Sequence, residues 1–398
     1  MTLVLSILVG GAAVLLLVPS LVFCIQVLAA LPGGGRPVVG LDVPPPRTVV
    51  VIPAHDEAAG ITATLQSVQA QLGPADRMLV VADNCSDDTA AIAAAAGAEV
   101  IERHDAVLRG KGYALDYAIR HLQRSPPEVV TIVDADCLVA PGAIRRLATL
   151  CVTTSRPVQA LYLMHAPAGA GTRTRIAEFA WLVKNQVRAT GLHRLGLPCQ
   201  LMGTGMAFPW RVISVADLAT GHIVEDMKLG IDIAAAGTPP LFCPDALVTS
   251  EFPSSNDGVR GQRTRWEHGH LAMILAQGLP LLRRSLWPLR PQLLAMALDL
   301  CVPPLALLCA LVGSVWLAAI VLHATTAAGL PLAVASVCAA ALVVSVLAAW
   351  ARFGRTAVPL RTLALAPLYA AWKIPLYGKF LLSRQVEWVR SRRDGPGQ

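Results

Sequence analysis

Residues 2–31 carry no charge at all. A bilayer offers no water to backbone N–H and C=O groups, so a chain crosses it as a helix, which needs roughly 20 apolar residues. Residues 1–32 are therefore expected to form an N-terminal transmembrane helix. No Lys or Arg precedes the run, and Ala29-Ala-Leu-Pro32 is a poor cleavage site, so it reads as an anchor and not as a removable signal. Arg36 and Arg47 follow, which puts the N-terminus outside and the next region in the cytoplasm. The other end of the chain repeats the pattern. Residues 293–322 are apolar except for Asp299, and 330–350 are uncharged, so two further spans are expected within 291–352. Asp299 is costly in a span and reads as functional, or as a helix-packing or pore-lining group. Residues 360–382 are interrupted by Pro367 and Pro375 and contain Lys373 and Lys379. If they crossed, the tail Arg390-Ser-Arg-Arg393 would lie outside, so 353–398 reads as an interfacial or re-entrant segment with a basic cytoplasmic tail.

Composition agrees. The chain is 55% hydrophobic and 15% charged, whereas soluble domains carry about 25% charged residues. Its net charge of +7 suits a membrane face rich in anionic headgroups. Nucleic acid is not an expected partner, because the Arg residues cluster beside apolar segments and no aromatic-basic repeat occurs. Nine cysteines without a C-x-x-C read as reduced thiols, neither a disulfide framework nor a zinc site. The expected location is a bacterial inner, cytoplasmic membrane.

Between the apolar ends, 33–46 is a Gly- and Pro-rich linker and 47–257 reads as a cytoplasmic α/β domain. Short β-branched runs at 48–52, 78–82, 100–101 and 129–133 predict strands. Ala-rich stretches at 61–71, 88–96 and 113–123 predict helices, and the alternation implies βαβ units. A helix is also expected over 176–193, after a mobile loop at 169–174. Residues 258–290 carry Arg, Glu and His beside apolar residues, which fits amphipathic helices lying on the bilayer surface.

Polar clusters follow the strands. Pro53-Ala-His55-Asp-Glu57 follows the first, Asp83-Asn-Cys-Ser-Asp-Asp-Thr89 the second, and Asp134-Ala-Asp136 the fourth. Ligands of open α/β sheets sit beyond the carboxyl ends of the strands. Two carboxylates one residue apart there can hold Mg²⁺ or Mn²⁺; a solvated acidic turn is the plainer reading. Ser86 or Asp87 is expected to cap the following helix. Arg109-Gly-Lys111-Gly112 reads as a flexible basic loop that can contact a diphosphate. Glu225-Asp226 opens a helical stretch, where it supplies a general base or merely complements the helix N-terminus. His268-Gly-His270 would leave a helix on different faces and is a poor metal pair.

In this order, Pro53–Glu57, Asp83, Lys111-Gly112, Asp134-Ala-Asp136, Gly203-Thr204-Gly205, Glu225-Asp226 and Gln262-Arg-Thr-Arg265-Trp266 (Q-x-x-R-W) resemble membrane-integrated family 2 glycosyltransferases. These enzymes include the cellulose, chitin and hyaluronan synthases and the ceramide glucosyltransferases. The resemblance covers residues 48–266. It implies a GT-A fold, a Rossmann-like mixed sheet, joined to a helical transmembrane region. It implies that Pro53, His55, Glu57, Asp83, Lys111, Asp134 and Arg265 bind a nucleotide sugar, usually of uridine. Asp136, helped by Asp134, would hold Mg²⁺ or Mn²⁺. Gly203, Thr204, Gly205, Glu225, Gln262 and Trp266 would bind a lipid or glycan acceptor, and Asp226 would be the general base of an inverting transfer. The expected partners are thus a nucleotide-sugar donor, that acceptor and membrane lipid. Val224 stands where the family often has Thr, and Phe208-Pro-Trp210-Arg211 replaces the basic pair that follows Gly205 in many processive synthases. The alternatives are a non-enzymatic membrane protein with a nucleotide-binding α/β domain, or a nucleotidyltransferase.

Overall fold

The computed structural model describes the backbone of residues 2–33, 44–253 and 256–382, and their side chains except those of 256–263 and 381–382. Arg36, most of the 33–46 linker, the Gln262 side chain and the basic tail lie outside the described residues. The chain forms two compact units, divided within helix Asn256–Leu286 between Trp266 and Glu267.

The α/β unit is built on eight strands: β1 (Thr48–Ala54), β2 (Arg77–Asp83), β3 (Glu99–Arg103), β4 (Val129–Ile132), β5 (Leu138–Val139), β6 (Val158–His165), β7 (Met206–Pro209) and β8 (Leu241–Glu251). They lie side by side in the order β3-β2-β1-β4-β7-β6-β8-β5. The first four of that order are parallel; β7 runs antiparallel to β4 and to β6. Val49, Val51, Leu79, Val81, Val130 and Ile132 pack into one core with Leu115, Leu122 and Phe208. Both faces of β1, β2 and β4 are buried, which is why these strands read as continuous apolar runs. The carboxyl ends of β2, β1 and β4 then fall next to one another on one sheet edge, and Asp83, Pro53 and Asp134 stand there.

Among the described residues, the helical unit contains three helices long and apolar enough to cross a membrane: Thr2–Ala30, Leu305–Thr326 and Gly329–Gly354. The expected apolar stretch 293–322 is divided instead. Helix Pro291–Leu300 ends at Cys301, and Pro303 and Pro304 delay the next start to Leu305, because proline cannot supply the N–H that would continue the ladder. Beyond Gly354 the chain makes short helices, Leu360–Leu363, Ala366–Trp372 and Ile374–Leu382.

Ala168–Gly196, which the sequence keeps within the α/β domain, belongs to this helical unit. Its helix starts at Thr172, inside the stretch expected to be a loop, and runs through a wider π turn at Val183–Arg188 to Arg194. A Cβ on Gly191 would lie 1.9 Å from the Gln26 carbonyl oxygen, so two helix backbones touch there.

Three helices meet at a buried polar triad. Arg188 donates to Gln26 Oε1 (2.8 Å) through Nε and to Asp299 Oδ1 (2.6 Å) through a terminal nitrogen, and Gln26 Nε2 donates to Asp299 Oδ1 at 2.8 Å. Asp299 is thus a packing group, neutralised and closed off by its partners. Removing one member of a buried ion pair costs about 3–5 kcal/mol, because the other charge is left uncompensated. Arg188→Met should therefore lower the unfolding temperature of the detergent-solubilised protein steeply, and Arg188→Met with Asp299→Leu should recover much of the loss. Equal melting of Arg188→Met and the parent would show that the triad holds nothing together.

Candidate active site

The Asp134-Ala135-Asp136 turn leaves the end of β4 and is held from several sides. The Asp134 amide donates to Thr204 Oγ1 at 3.0 Å, the Thr64 hydroxyl donates to the Ala135 carbonyl at 2.8 Å, and the Cys137 amide donates to the Asp134 carbonyl at 3.1 Å. Thr204 is itself fully buried and fixed by Gln159, whose Nε2 donates to the Thr204 carbonyl at 2.9 Å while its Oε1 accepts from the Met202 amide at 2.8 Å. Gly203 and Gly205 both have positive φ, +92° and +63°, a region most side chains avoid. A Cβ on Gly205 would also meet Ala160 Cβ at 2.7 Å and Val248 Cγ2 at 2.9 Å, so the Gly-Thr-Gly turn is pressed against β6 and β8.

Lys111 differs from expectation. It is the first residue of helix Lys111–Leu122, not part of a loop. Its Nζ pairs with Asp134 Oδ1 and donates to the Gly203 carbonyl at 2.7 Å. Burial works against its charge, but Asp134, Glu225 and Asp226 together outweigh that and hold its pKa above the ordinary value. One ammonium therefore feels three carboxylates that are up to 92 positions apart from one another in the chain (134 to 226). Asp226 Oδ2 lies 3.5 Å from the point a Gly203 Cβ would occupy, which puts it beside the same turn.

Glu225 and Asp226 form the first turn of helix Glu225–Ala235. Burial pushes the Glu225 carboxyl up to about 7; Lys111 opposes the shift and Asp226 adds to it. The raised value has a defined sign. As pH rises from the ordinary 4.5 toward 7, the unfolded chain releases this proton while the folded chain keeps it, so stability falls over that window. In metal-free buffer, Glu225→Gln should therefore raise the unfolding temperature relative to the parent more at pH 8 than at pH 4.5. A gain that does not change with pH would show that Glu225 does not titrate in this way.

A second group occupies the neighbouring strand ends. Asp83 is buried at 7% exposure, and its Oδ1 accepts from Arg103 at 2.6 Å and from Asn84 Nδ2 at 3.0 Å. Arg103 also lies over the Tyr113 ring, 5.6 Å from its centroid. His55 Nδ1 donates to the Asp83 carbonyl at 2.7 Å, and the Glu57 amide donates to Thr89 Oγ1 at 2.8 Å. Asp56 and Asn84, at the ends of β1 and β2, both adopt positive φ, 51° and 53°. Such strained non-glycine residues often gather at binding edges. Neither Ser86 nor Asp87 caps the helix Thr89–Ala95; Asp88 holds that position without a side-chain hydrogen bond, while Asp87 accepts from Thr89 and from the Ala58 amide. Arg265 and Trp266 sit half-buried on helix Asn256–Leu286. His268 and His270 are no metal pair: each ring donates to a carbonyl, Leu376 at 3.1 Å and Leu300 at 3.2 Å.

Among the described residues, two carboxyl-rich clusters could in principle take a cation. Oxygens of Asp134 and Asp136 lie with Cys137 Sγ within 4.8 Å of one another, and Asp56, Cys85 and Asp87 do the same. In the second cluster the carboxylates already serve the loop, since Asp56 accepts from the Ser86 amide (2.6 Å) and hydroxyl (3.1 Å). In the first, burial and the two aspartates push the Cys137 thiol well above its ordinary pKa, and sulfur is a soft donor that a hard cation does not prefer. That leaves two half-buried carboxylates, a donor set that fits a hard cation such as Mg²⁺ or Mn²⁺.

Arg103, Gln159 and Thr64 escape a reading of the sequence. Each acts through a partner far along the chain, and none sits in a recognisable pattern.

Comparison with solved structures places the fold. A mannosyltransferase from Pyrobaculum calidifontis, solved with GDP-Man and Mn²⁺, aligns with 97% of this chain and 100% of its own at 17% identity and a TM-score of 0.57. A mycobacterial protein (22% identity, 59% of this chain, 79% of that one) gives a TM-score of 0.37, and glucosyl-3-phosphoglycerate synthase from Mycobacterium tuberculosis (19%, 61%, 86%) gives 0.39. No curated protein sequence matches the chain significantly. Residues 45–269 match the family described as glycosyltransferase like family 2, and that stretch includes both clusters, the Gly-Thr-Gly turn and the Q-x-x-R-W segment. The chain is a member of glycosyltransferase family 2, with a GT-A α/β domain joined to membrane-type helices.

Proposed function

We propose that this protein transfers a sugar, with inversion, from a nucleotide sugar to a hydroxyl of a lipid or glycan at the cytoplasmic face of a bacterial inner membrane. The donor expected first is a UDP-sugar, and the product a glycolipid or an exopolysaccharide. One observation carries the reading: Lys111, Asp134, Gly203, Glu225 and Asp226 converge beside Asp136 at the carboxyl edge of the sheet.

Each group then has work to do. Asp226 takes the proton of the acceptor hydroxyl while that oxygen bonds to the anomeric carbon. The bond from that carbon to the diphosphate oxygen breaks on the opposite face, and a single displacement inverts the centre. Lys111 stays charged and can share its N–H groups with the departing diphosphate; Arg265 is assigned the same task. Asp134 and Asp136 would hold Mg²⁺ or Mn²⁺, which when bound offsets charge on the leaving group. The Mn²⁺ in the Pyrobaculum structure supports that choice. Asp83, His55 and Glu57, with the backbone at Pro53, are assigned to the nucleoside. Since Arg103 and Asn84 already occupy Asp83 Oδ1, Asp83 would meet the base through Oδ2. The Gly203–Gly205 turn, Glu225, Gln262 and Trp266 are assigned to the acceptor.

A panel of labelled UDP- and GDP-sugars, given to membranes with Mn²⁺ or Mg²⁺, tests the proposal. The expected result is release of a nucleoside diphosphate from at least one donor, with the label moved to a lipid or glycan in the opposite anomeric configuration. Release of inorganic diphosphate would identify a nucleotidyltransferase instead, and no turnover with any donor would favour a non-enzymatic nucleotide-binding protein.

A further inference from the structure

The transfer proposed above gives Arg103 no task, although the fold fixes its side chain on several sides. One terminal nitrogen donates to Asp83 Oδ1 at 2.6 Å and the other to the Leu108 carbonyl at 2.6 Å, with Asp105 Oδ2 3.5 Å away. The guanidinium lies over the Tyr113 ring, and the side chain is 10% exposed. The second donor to Asp83 Oδ1, Asn84 Nδ2 at 3.0 Å, is held as firmly. The Asn84 amide donates to the Arg103 carbonyl at 2.7 Å, and Asn84 Oδ1 accepts from the Asp105 amide at 2.8 Å. Asp105 Oδ1 in turn accepts from the Val107 and Leu108 amides at 2.9 and 2.8 Å, which folds this loop around the arginine.

The consequence falls on Asp83. A carboxylate has about four lone-pair sites, two on each oxygen, so Arg103 and Asn84 together fill Oδ1. Among the described residues Oδ2 accepts no hydrogen bond. A carboxylate can take two parallel N–H bonds from a ligand; this one offers a single oxygen. Bases differ in what they present to it. Uracil has one N–H, at N3 between two carbonyls, and needs one acceptor. Guanine presents N1–H and its exocyclic amino group side by side, and needs two. With N1–H on Oδ2, that amino group would face a filled Oδ1 and the N–H donors of Arg103 and Asn84. An N–H buried without an acceptor weakens binding by at least about fivefold.

We propose that Arg103 sets the base specificity of the donor site: by filling Asp83 Oδ1 it leaves a site for a base with a single N–H, uracil, and rejects guanine. The inference rests on the assignment of the nucleoside to Asp83 made above, and adds the residue that makes the choice. Arg103 acts through Asp83 and is a positioning residue.

The test is calorimetric titration of UDP, GDP and inosine diphosphate, each with Mn²⁺, into the full-length detergent-solubilised protein. Inosine diphosphate is GDP without the amino group, so the two purines differ only in the N–H at issue. The parent should bind UDP most tightly, and inosine diphosphate at least about fivefold more tightly than GDP. Arg103→Met frees a position on Oδ1, so GDP should gain on both and the advantage of inosine diphosphate should vanish. Arg103→Lys can return one donor to Oδ1 and should restore that advantage, whereas loss of a merely structural arginine would weaken all three nucleotides alike. An unchanged ratio in folded Arg103→Met would overturn the proposal. If that variant does not purify as a folded protein, the parent decides alone: equal binding of GDP and inosine diphosphate, or GDP bound as tightly as UDP, would overturn it. GDP bound that tightly, with turnover of a GDP-sugar, would overturn the base choice and leave sugar transfer standing. Failure of all three to bind would remove the nucleoside site, and the proposed function with it.

Discussion

Asp226→Asn should lower sugar transfer by about 10²–10⁴-fold, the span that general-base assistance supplies, with little change in the affinity for donor. The substitution keeps the shape of the side chain and removes its ability to take a proton. Asp226 sits in the first turn of its helix, beside the Gly203 turn and within the field of Lys111. The proposed function assigns it the place beside the anomeric carbon of a sugar bound through its diphosphate. Steady-state rates with saturating donor and acceptor read the effect. If Asp226→Asn transfers sugar at the parent rate, the base is another residue, and Glu225, whose carboxyl is raised to about 7, becomes the first candidate.

Asp136→Ala should fail differently. Loss of one preorganised contact to developing charge typically costs about 10²–10³-fold in rate, and here donor binding should weaken as well. Asp134 would remain, but Lys111 neutralises it, so the single charge left cannot replace the pair. The concentration of Mn²⁺ required for half-maximal rate should rise together with the KM for donor. Full activity of Asp136→Ala in the presence of a chelator would remove the metal from the account.

Much of this was legible in the sequence because the relevant signals are local. Strands β1, β2 and β4 are buried on both faces, so each is a short apolar run, and the acids that follow mark the carboxyl edge of the sheet directly. The helix beginning at Glu225 announces itself through apolar spacing. The rest depends on contacts that no local pattern records. Lys111 looks like a loop lysine until the fold brings Asp134 and Gly203 to it. The helix from Thr172 contains Arg173, Arg175, Glu178, Lys184 and Arg188, which is the composition of a soluble element. It packs among the membrane-type helices because Arg188 finds Gln26 and Asp299. Asp299 could be recognised as costly from sequence, but its partner, 111 positions away, could not. Gln159 is a plain buried glutamine until Thr204 and Met202 are placed against it.

The central claim is that metal, diphosphate and base share one pocket at the carboxyl edge of the sheet. Calorimetric titration of nucleoside diphosphate with Mn²⁺ into the detergent-solubilised protein, paired with turnover of the same variants, tests it most directly. Asp226→Asn should bind the Mn²⁺ nucleotide as tightly as the parent while losing turnover, and Asp136→Ala should lose both. Loss of binding in Asp226→Asn, or parent-like binding and turnover in Asp136→Ala, would contradict it.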